Sequence, residues 1–185
     1  MKVVYAVQKY SSNSVSEFLI QMPIPKISGS VQKFSESLAH SGGHLLVGHL
    51  RCVASLASEF GQTLGPSGSS ANWVYLAGLW HDLGKYRSGF QRYLKLAEAK
   101  DAQNAHIEGR VAGREKTHSI AGALWALQSF KAAHGKGGEL AARTLAYLIA
   151  SHHAGLYDWE GGLKVRLADT DSHTELAEAC RTTAQ

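Results

Sequence analysis

The tightest constraint on this chain is a carboxylate beside an imidazole at the end of an apolar helical run. His81-Asp82 follows a segment containing Trp73, Leu76, Ala77 and Trp80. Burying two polar groups there without partners is costly. A shared cation satisfies both, so the fold is expected to bring further donors to this point. Candidates recur at suitable places: His49 upstream, then His118, then the pair His152-His153.

Hydrophobic periodicity places these residues on helices. Over residues 44–60, Leu45, Leu46, Leu50, Val53, Leu56, Ala57 and Phe60 recur at spacings of three and four, and Gly61 follows as a stop. Residues 63–70 are rich in Gly and Ser and read as a loop. Residues 71–83 predict a second helix ended by Gly84. Residues 88–99 predict a third, with Phe90, Tyr93, Leu94 and Ala97 on one side. Residues 101–116 are polar with two glycines and read as a loop. Thr117 is a fitting N-cap for a fourth helix to Ala133. A turn over 134–138 precedes a fifth helix, 139–153, closed by Gly155. Beyond Gly162 only short, weakly specified helices are expected. The first 40 residues suggest a short strand at 3–7, with Pro23 and Pro25 breaking any helix. The expected fold class is all-α, a weakly specified segment over 1–38 preceding a helical domain over 39–185.

Helical geometry sorts the histidines, because residues three and four apart share a face. His49 has Leu45, Leu46, Cys52 and Val53 at those positions and lies inside the apolar stripe. His44 lies near the helix start and is less enclosed. His118 falls in a first turn beside Ala121 and Gly122, small residues that admit another helix or a substrate. His152 follows Leu145, Leu148 and Ile149 and points inward; His153 is turned about 100° away, so the two rings are not expected to chelate one ion alike, but to serve a metal and a substrate or to share a ligand set at a fraying helix end. A single inward histidine is more often a hydrogen-bonded core residue than a ligand. The set of them, joined by Asp82 and Gly84-Lys85, favours metal binding. His40, His106, His134 and His173 stand in polar or loop contexts and read as ordinary. Imidazole-rich coordination suits Mn, Fe, Co or Ni better than Mg, which prefers oxygen.

Bulk properties narrow the setting. A chain of 185 residues with 44% hydrophobic and 18% charged content suits one globular domain. No apolar run approaches the roughly 18 residues needed to span a bilayer, and the first ten residues do not resemble a signal peptide. Cys52 and Cys180 lie far apart and form no metal-type pair, so a reduced, cytoplasmic protein without membrane partners is expected. The net charge of +4 is concentrated: residues 85–116 hold eight basic and four acidic side chains, and the remaining eleven of each sign cancel. A positive stretch directly after His-Asp suits a polyanionic substrate. Tyr86, Phe90, Tyr93 and Trp159 are candidate stacking surfaces, although Phe90 and Tyr93 fit the apolar side of their helix. Ser119 could hydrogen-bond a phosphate or simply open its helix.

Four stretches carry a family resemblance: "AHSGGHLLVGHLRCVASLA" from Ala39, "LAGLWHDLGKYRSGFQRYL" from Leu76, "KTHSIAGALW" from Lys116 and "LIASHHAGLYDW" from Leu148. Their order resembles the HD superfamily of metal-dependent phosphohydrolases, and their wording looks like the HD-nuclease domain of the type I CRISPR helicase-nuclease. The resemblance implies a helical bundle around one or two divalent ions. It implies that His49, His81 and Asp82 hold one, with Asp82 bridging to a second held by His118, His152 and His153. It implies that Lys85 contacts phosphate and joins Asp82 in catalysis, by metal-activated water attack on single-stranded DNA. A helicase domain or subunit and the CRISPR RNA-guided surveillance complex are the implied partners. Two departures stand out. The family carries a further metal-binding Asp on a late helix, and Asp158, Asp169 and Asp171 stand in no matching context. No Gly-x4-Gly-Lys-Ser/Thr phosphate loop occurs; "HGKGG" at His134 lacks that form. A stand-alone nuclease subunit or, preferably, a fragment of a larger protein is expected. The rival expectations are a nucleotide phosphohydrolase with the same ligands and a catalytically silent nucleic-acid- or partner-binding domain.

Overall fold

The computed structural model describes residues 36–64, 71–100, 117–134, 138–153 and 155–182. The strand expected at 3–7, the loop over 65–70 and the polar stretch over 101–116 lie outside them. Among the described residues there is no strand, only an isolated antiparallel bridge between Leu38 and Leu45. The fold is all-α, as the periodicity predicts.

The helices are α1 (Leu46–Gly61), α2 (Ala71–Trp80), a 3-10 turn (Leu83–Tyr86), α3 (Ser88–Lys100), α4 (Ser119–His134), α5 (Glu139–Ser151), a π turn (Trp159–Leu163), α6 (Lys164–Ala168) and α7 (Thr170–Thr182). Residues 120–126 of α4 are all buried. A helix apolar on every side belongs at the centre of a bundle. Accordingly α5 packs along one side of α4 and α7 along another, while α2 contacts α1, α4 and α5. The leucines Leu46, Leu145 and Leu163 are fully enclosed, each worth roughly 1.5–3 kcal/mol of transfer free energy.

Glycine sets the closest helix approach. A Cβ on Gly122 would lie 1.9 Å from the Trp80 carbonyl oxygen. The small pair Ala121-Gly122 thus admits the end of α2 rather than a substrate.

Several expectations are corrected. Helix α1 starts at Leu46 rather than 44, because Leu45 is taken by the bridge to Leu38. It buries Leu46, Leu50 and Ala54 and leaves Leu56 and Phe60 exposed. Its partner α2 crosses it closely at Ala54, where a Cβ on Gly78 would lie 2.8 Å from the Ala54 Cα. Helix α4 starts at Ser119, one residue later than a cap at Thr117 predicts, and the Thr117 hydroxyl donates to Glu175. Leu148, read as part of an inward stripe, is largely exposed. The weakly specified end of the chain forms a 13-residue helix, α7, that buries Leu176 and Ala179.

Candidate metal centre

Helix α2 stops at Trp80, so His81 and Asp82 lie just beyond it rather than within it. The His81 ring Nδ1 donates to the Gly78 carbonyl at 2.7 Å, occupying one of the acceptors that a helix end leaves open. Asp82 adopts φ −110°, ψ 19° and leads into the 3-10 turn. That turn is fixed to the start of α4 through the backbone: Gly84 N–H donates to His118 O at 3.1 Å. A Cβ on Gly84 would come within 2.3 Å of that oxygen. Only glycine lets the two segments touch.

Asp82 is 2% exposed, and the site is built around its two oxygens. Oδ2 is approached by His49 Nε2 at 3.2 Å, His81 Nε2 at 3.0 Å and Lys85 Nζ at 2.9 Å. Oδ1 is approached by His118 Nε2 at 3.3 Å and His152 Nε2 at 3.4 Å. His153 Nε2 lies 2.8 Å from His118 Nε2. The fold therefore brings together all six residues singled out as ligands, in two groups that share Asp82. One is His49, His81 and Asp82; the other is Asp82, His118, His152 and His153; within each, the donor atoms lie within 4.8 Å of one another.

The pair His152-His153 takes the second of the two arrangements expected, a ligand set shared at a helix end. Helix α5 ends at Ser151, with His152 still in the αR region. His152 Nδ1 donates back to Ile149 O at 2.6 Å, the rings lie 4.0 Å apart, and both join the same donor group. Gly155, with φ +75°, closes the turn.

The chemistry of the donors fits a divalent cation. A carbonyl can only accept, so Nδ1 of His81 and of His152 carries the ring proton and Nε2 keeps its lone pair. Those lone pairs face carboxylate oxygens, an arrangement that is repulsive unless a proton or a cation intervenes. Asp82 Oδ1 is buried and completes no well-aligned hydrogen bond among the described residues. Burial raises the Asp82 carboxyl, but His152 and His81 beside it, with the charges of His81 and Lys85, more than reverse this and hold it below the usual carboxylate range. Burial lowers His49, aided by His81 and Lys85 and opposed by Asp82. A carboxylate kept ionised and a ring kept neutral are the forms that bind metal.

Lys85 is not a solvent-facing lysine. Its ammonium contacts Asp82, donates to Ala39 O at 3.1 Å and lies 5.7 Å from the Phe90 ring centre. Phe90 and Tyr93 are buried, and Phe90 meets the His118 ring edge-on at 5.3 Å. Tyr86 is wholly buried and is no stacking surface. Trp159 packs on Tyr147 and under Arg143. Asp158 accepts Gly161 N–H at 2.6 Å as a cap. Neither donor group includes Asp158, Asp169 or Asp171.

Two supporting networks escape sequence reasoning. Gln91 is fully buried; its Oε1 accepts Leu38 N–H, while its Nε2 donates to Leu38 O and Lys85 O, at 2.7–2.8 Å. This fixes both the Lys85 backbone and the strand-like entry to α1. Arg87 donates to Thr117 O at 2.7 Å and lies 3.4 Å from Glu175, which also receives the Thr117 hydroxyl. Arg87 and Glu175 are buried and tie α7 to the residue before His118. The available signal was a polar residue on the buried side of α3: Gln91 lies three positions before Leu94.

A bundle that converges five imidazoles on one buried carboxylate has the donor set of a divalent metal site. The HD domain pattern matches residues 46–181, and the chain belongs to that family, whose members are typically metal-dependent phosphohydrolases. No curated protein matches the chain.

Proposed function

We propose that this chain is a metal-dependent nuclease that hydrolyses the phosphodiester of single-stranded DNA, of the kind that works in type I CRISPR interference with a helicase domain or subunit and an RNA-guided surveillance complex. The observation that carries the reading is the pair of donor groups sharing Asp82 at an open surface. His49 and His152 keep 24% and 20% of their side chains accessible, and His153 is exposed. A polymer can reach such a centre from outside. The motif order around His81-Asp82 and the excess of basic residues over 85–116 point the same way.

When bound, one or two ions of the Mn, Fe, Co or Ni type would offset phosphodiester charge and make water a nucleophile near neutral pH. The residues of the chain supply the frame. Asp82 lies between both groups, Oδ2 toward His49 and His81 and Oδ1 toward His118 and His152. Lys85 adds to the effect of His152 and His81 in keeping Asp82 ionised. An ammonium has three donors; Asp82 and Ala39 O engage two, leaving the third for a phosphate oxygen. Backbone carbonyls hold His81 and His152 in the tautomer that binds metal.

The test is incubation of the chain with Mn, Co, Ni or Mg and circular single-stranded DNA, in parallel with deoxynucleoside triphosphates and cyclic dinucleotides. Cutting of the circle by the wild type and not by Asp82→Asn is expected. Product release from nucleotides without DNA cutting would make the chain a nucleotide phosphohydrolase. Metal-independent DNA binding with no cleavage would make it a binding domain.

A further inference from the structure

Outside the buried centre, two exposed rings face each other across a tight turn. His44 Nδ1 lies 3.3 Å from His40 Nε2, with ring centres 5.3 Å apart. The turn is set by Gly42 and Gly43 at φ +125° and +77°, values that side chains resist. It is closed by Ala39 N–H donating to His44 O at 2.8 Å. His40 Nδ1 lies 3.2 Å from Ser41 O. The carbonyl requires the proton there, so His40 Nε2 presents its lone pair toward His44.

We propose that His40 and His44 form an outer seat for a late transition-metal dication, from which the buried centre is loaded. With metal–nitrogen bonds of about 2.0–2.1 Å and tetrahedral angles, two nitrogens on one ion lie about 3.3 Å apart. The observed separation, which without an ion is a hydrogen bond between the two rings, matches that span. Water completes the set, so binding is weak and exchange fast, as suits a transit position. The location supports transit as well. His44 lies 6.3 Å from His49 ring centre to ring centre, and His49 lies 5.3 Å from His81. A row of imidazoles thus runs from solvent to Asp82.

The experiment titrates metal-free full-length chain with zinc or nickel by calorimetry, with metal content checked after gel filtration. His40→Ala/His44→Ala is compared with wild type and with Asp82→Asn. Both histidines are exposed, and circular dichroism verifies that the double variant folds. The double variant is expected to lose one weakly bound equivalent and keep the tight class, whereas Asp82→Asn loses the tight class and keeps the weak one. After chelation, tight-site refilling by trace metal, followed by competition with a chromogenic chelator, is expected to be several-fold slower in the double variant. Equal stoichiometry in wild type and double variant overturns the seat. An unchanged refilling rate overturns the loading role even where the weak equivalent is lost. Failure of the tight class in the wild type would instead count against the buried centre.

Discussion

At the scale of single residues, Asp82 governs the site. It alone belongs to both donor groups, so one substitution removes a ligand from each. Loss of an outer partner of a ligand already costs about 10–100-fold in metal affinity. Asp82→Asn is expected to exceed that, as a calorimetric titration would show. The acid response of the metal-free chain follows from two directions with the same sign. Asp82 is held below the usual range, so its contribution to stability is present at neutral pH and lost as the carboxyl protonates. His49 is lowered, so the unfolded chain binds its proton more readily and stability falls as pH drops below about 6.5. Urea denaturation should therefore show a stability gap between wild type and Asp82→Asn that narrows only below about pH 4, where the carboxyl of the unfolded chain takes up its proton. A gap that stays constant from pH 4 down to pH 2 would contradict this reading. Histidine periodicity made much of this scale legible: His49 was set apart from His44 by its apolar neighbours alone. For His153 helical geometry left two readings open, and the end of α5 at Ser151 goes with the one in which it shares a donor group with His152.

At the scale of elements, backbone contacts and buried polar groups position the rings. Alanine at Gly84 would drive a methyl into the His118 carbonyl. Gly84→Ala is expected to weaken metal binding more than it weakens the fold, because it displaces a ligand-bearing segment. Gly122→Ala presses on the Trp80 carbonyl from a central helix and should cost on the order of 1–3 kcal/mol or more, measured by urea denaturation. Glu175→Ala leaves Arg87 buried without its carboxylate, a change expected to cost about 3–5 kcal/mol; Glu175→Gln, which keeps an acceptor for Thr117, should cost less. These contacts explain where sequence reasoning stopped. Helix existence was readable from apolar spacing in α1, α3 and α5. Helix α7 was not, because its anchorage includes the ion pair of Glu175 with Arg87, distant in sequence. Thr117 looked like a cap because Ser and Thr favour that place, but α4 starts only at Ser119, and the Thr117 hydroxyl donates to the same distant carboxylate.

For the molecule as a whole, the metal centre is assembled from α1, the turn after α2, the start of α4 and the turn after α5. Unfolding scatters all of them, so an ion that binds only the folded chain stabilises every helix at once. At a hundredfold excess over its dissociation constant it adds about 2.7 kcal/mol. Chelation should lower the melting temperature of wild type and leave that of Asp82→Asn nearly unchanged in differential scanning calorimetry. No helix among the described residues is long and apolar enough to cross a membrane.

The two helices that end at the centre do so with the same polarity. His81 and His152 each follow the last residue of a helix and engage a carbonyl of its final turn. The partial negative charge that aligned peptides accumulate at a carboxyl end is therefore placed beside the donor groups at two helix ends. Attraction for a cation is then written partly into the main chain, and replacing any one imidazole leaves that field standing.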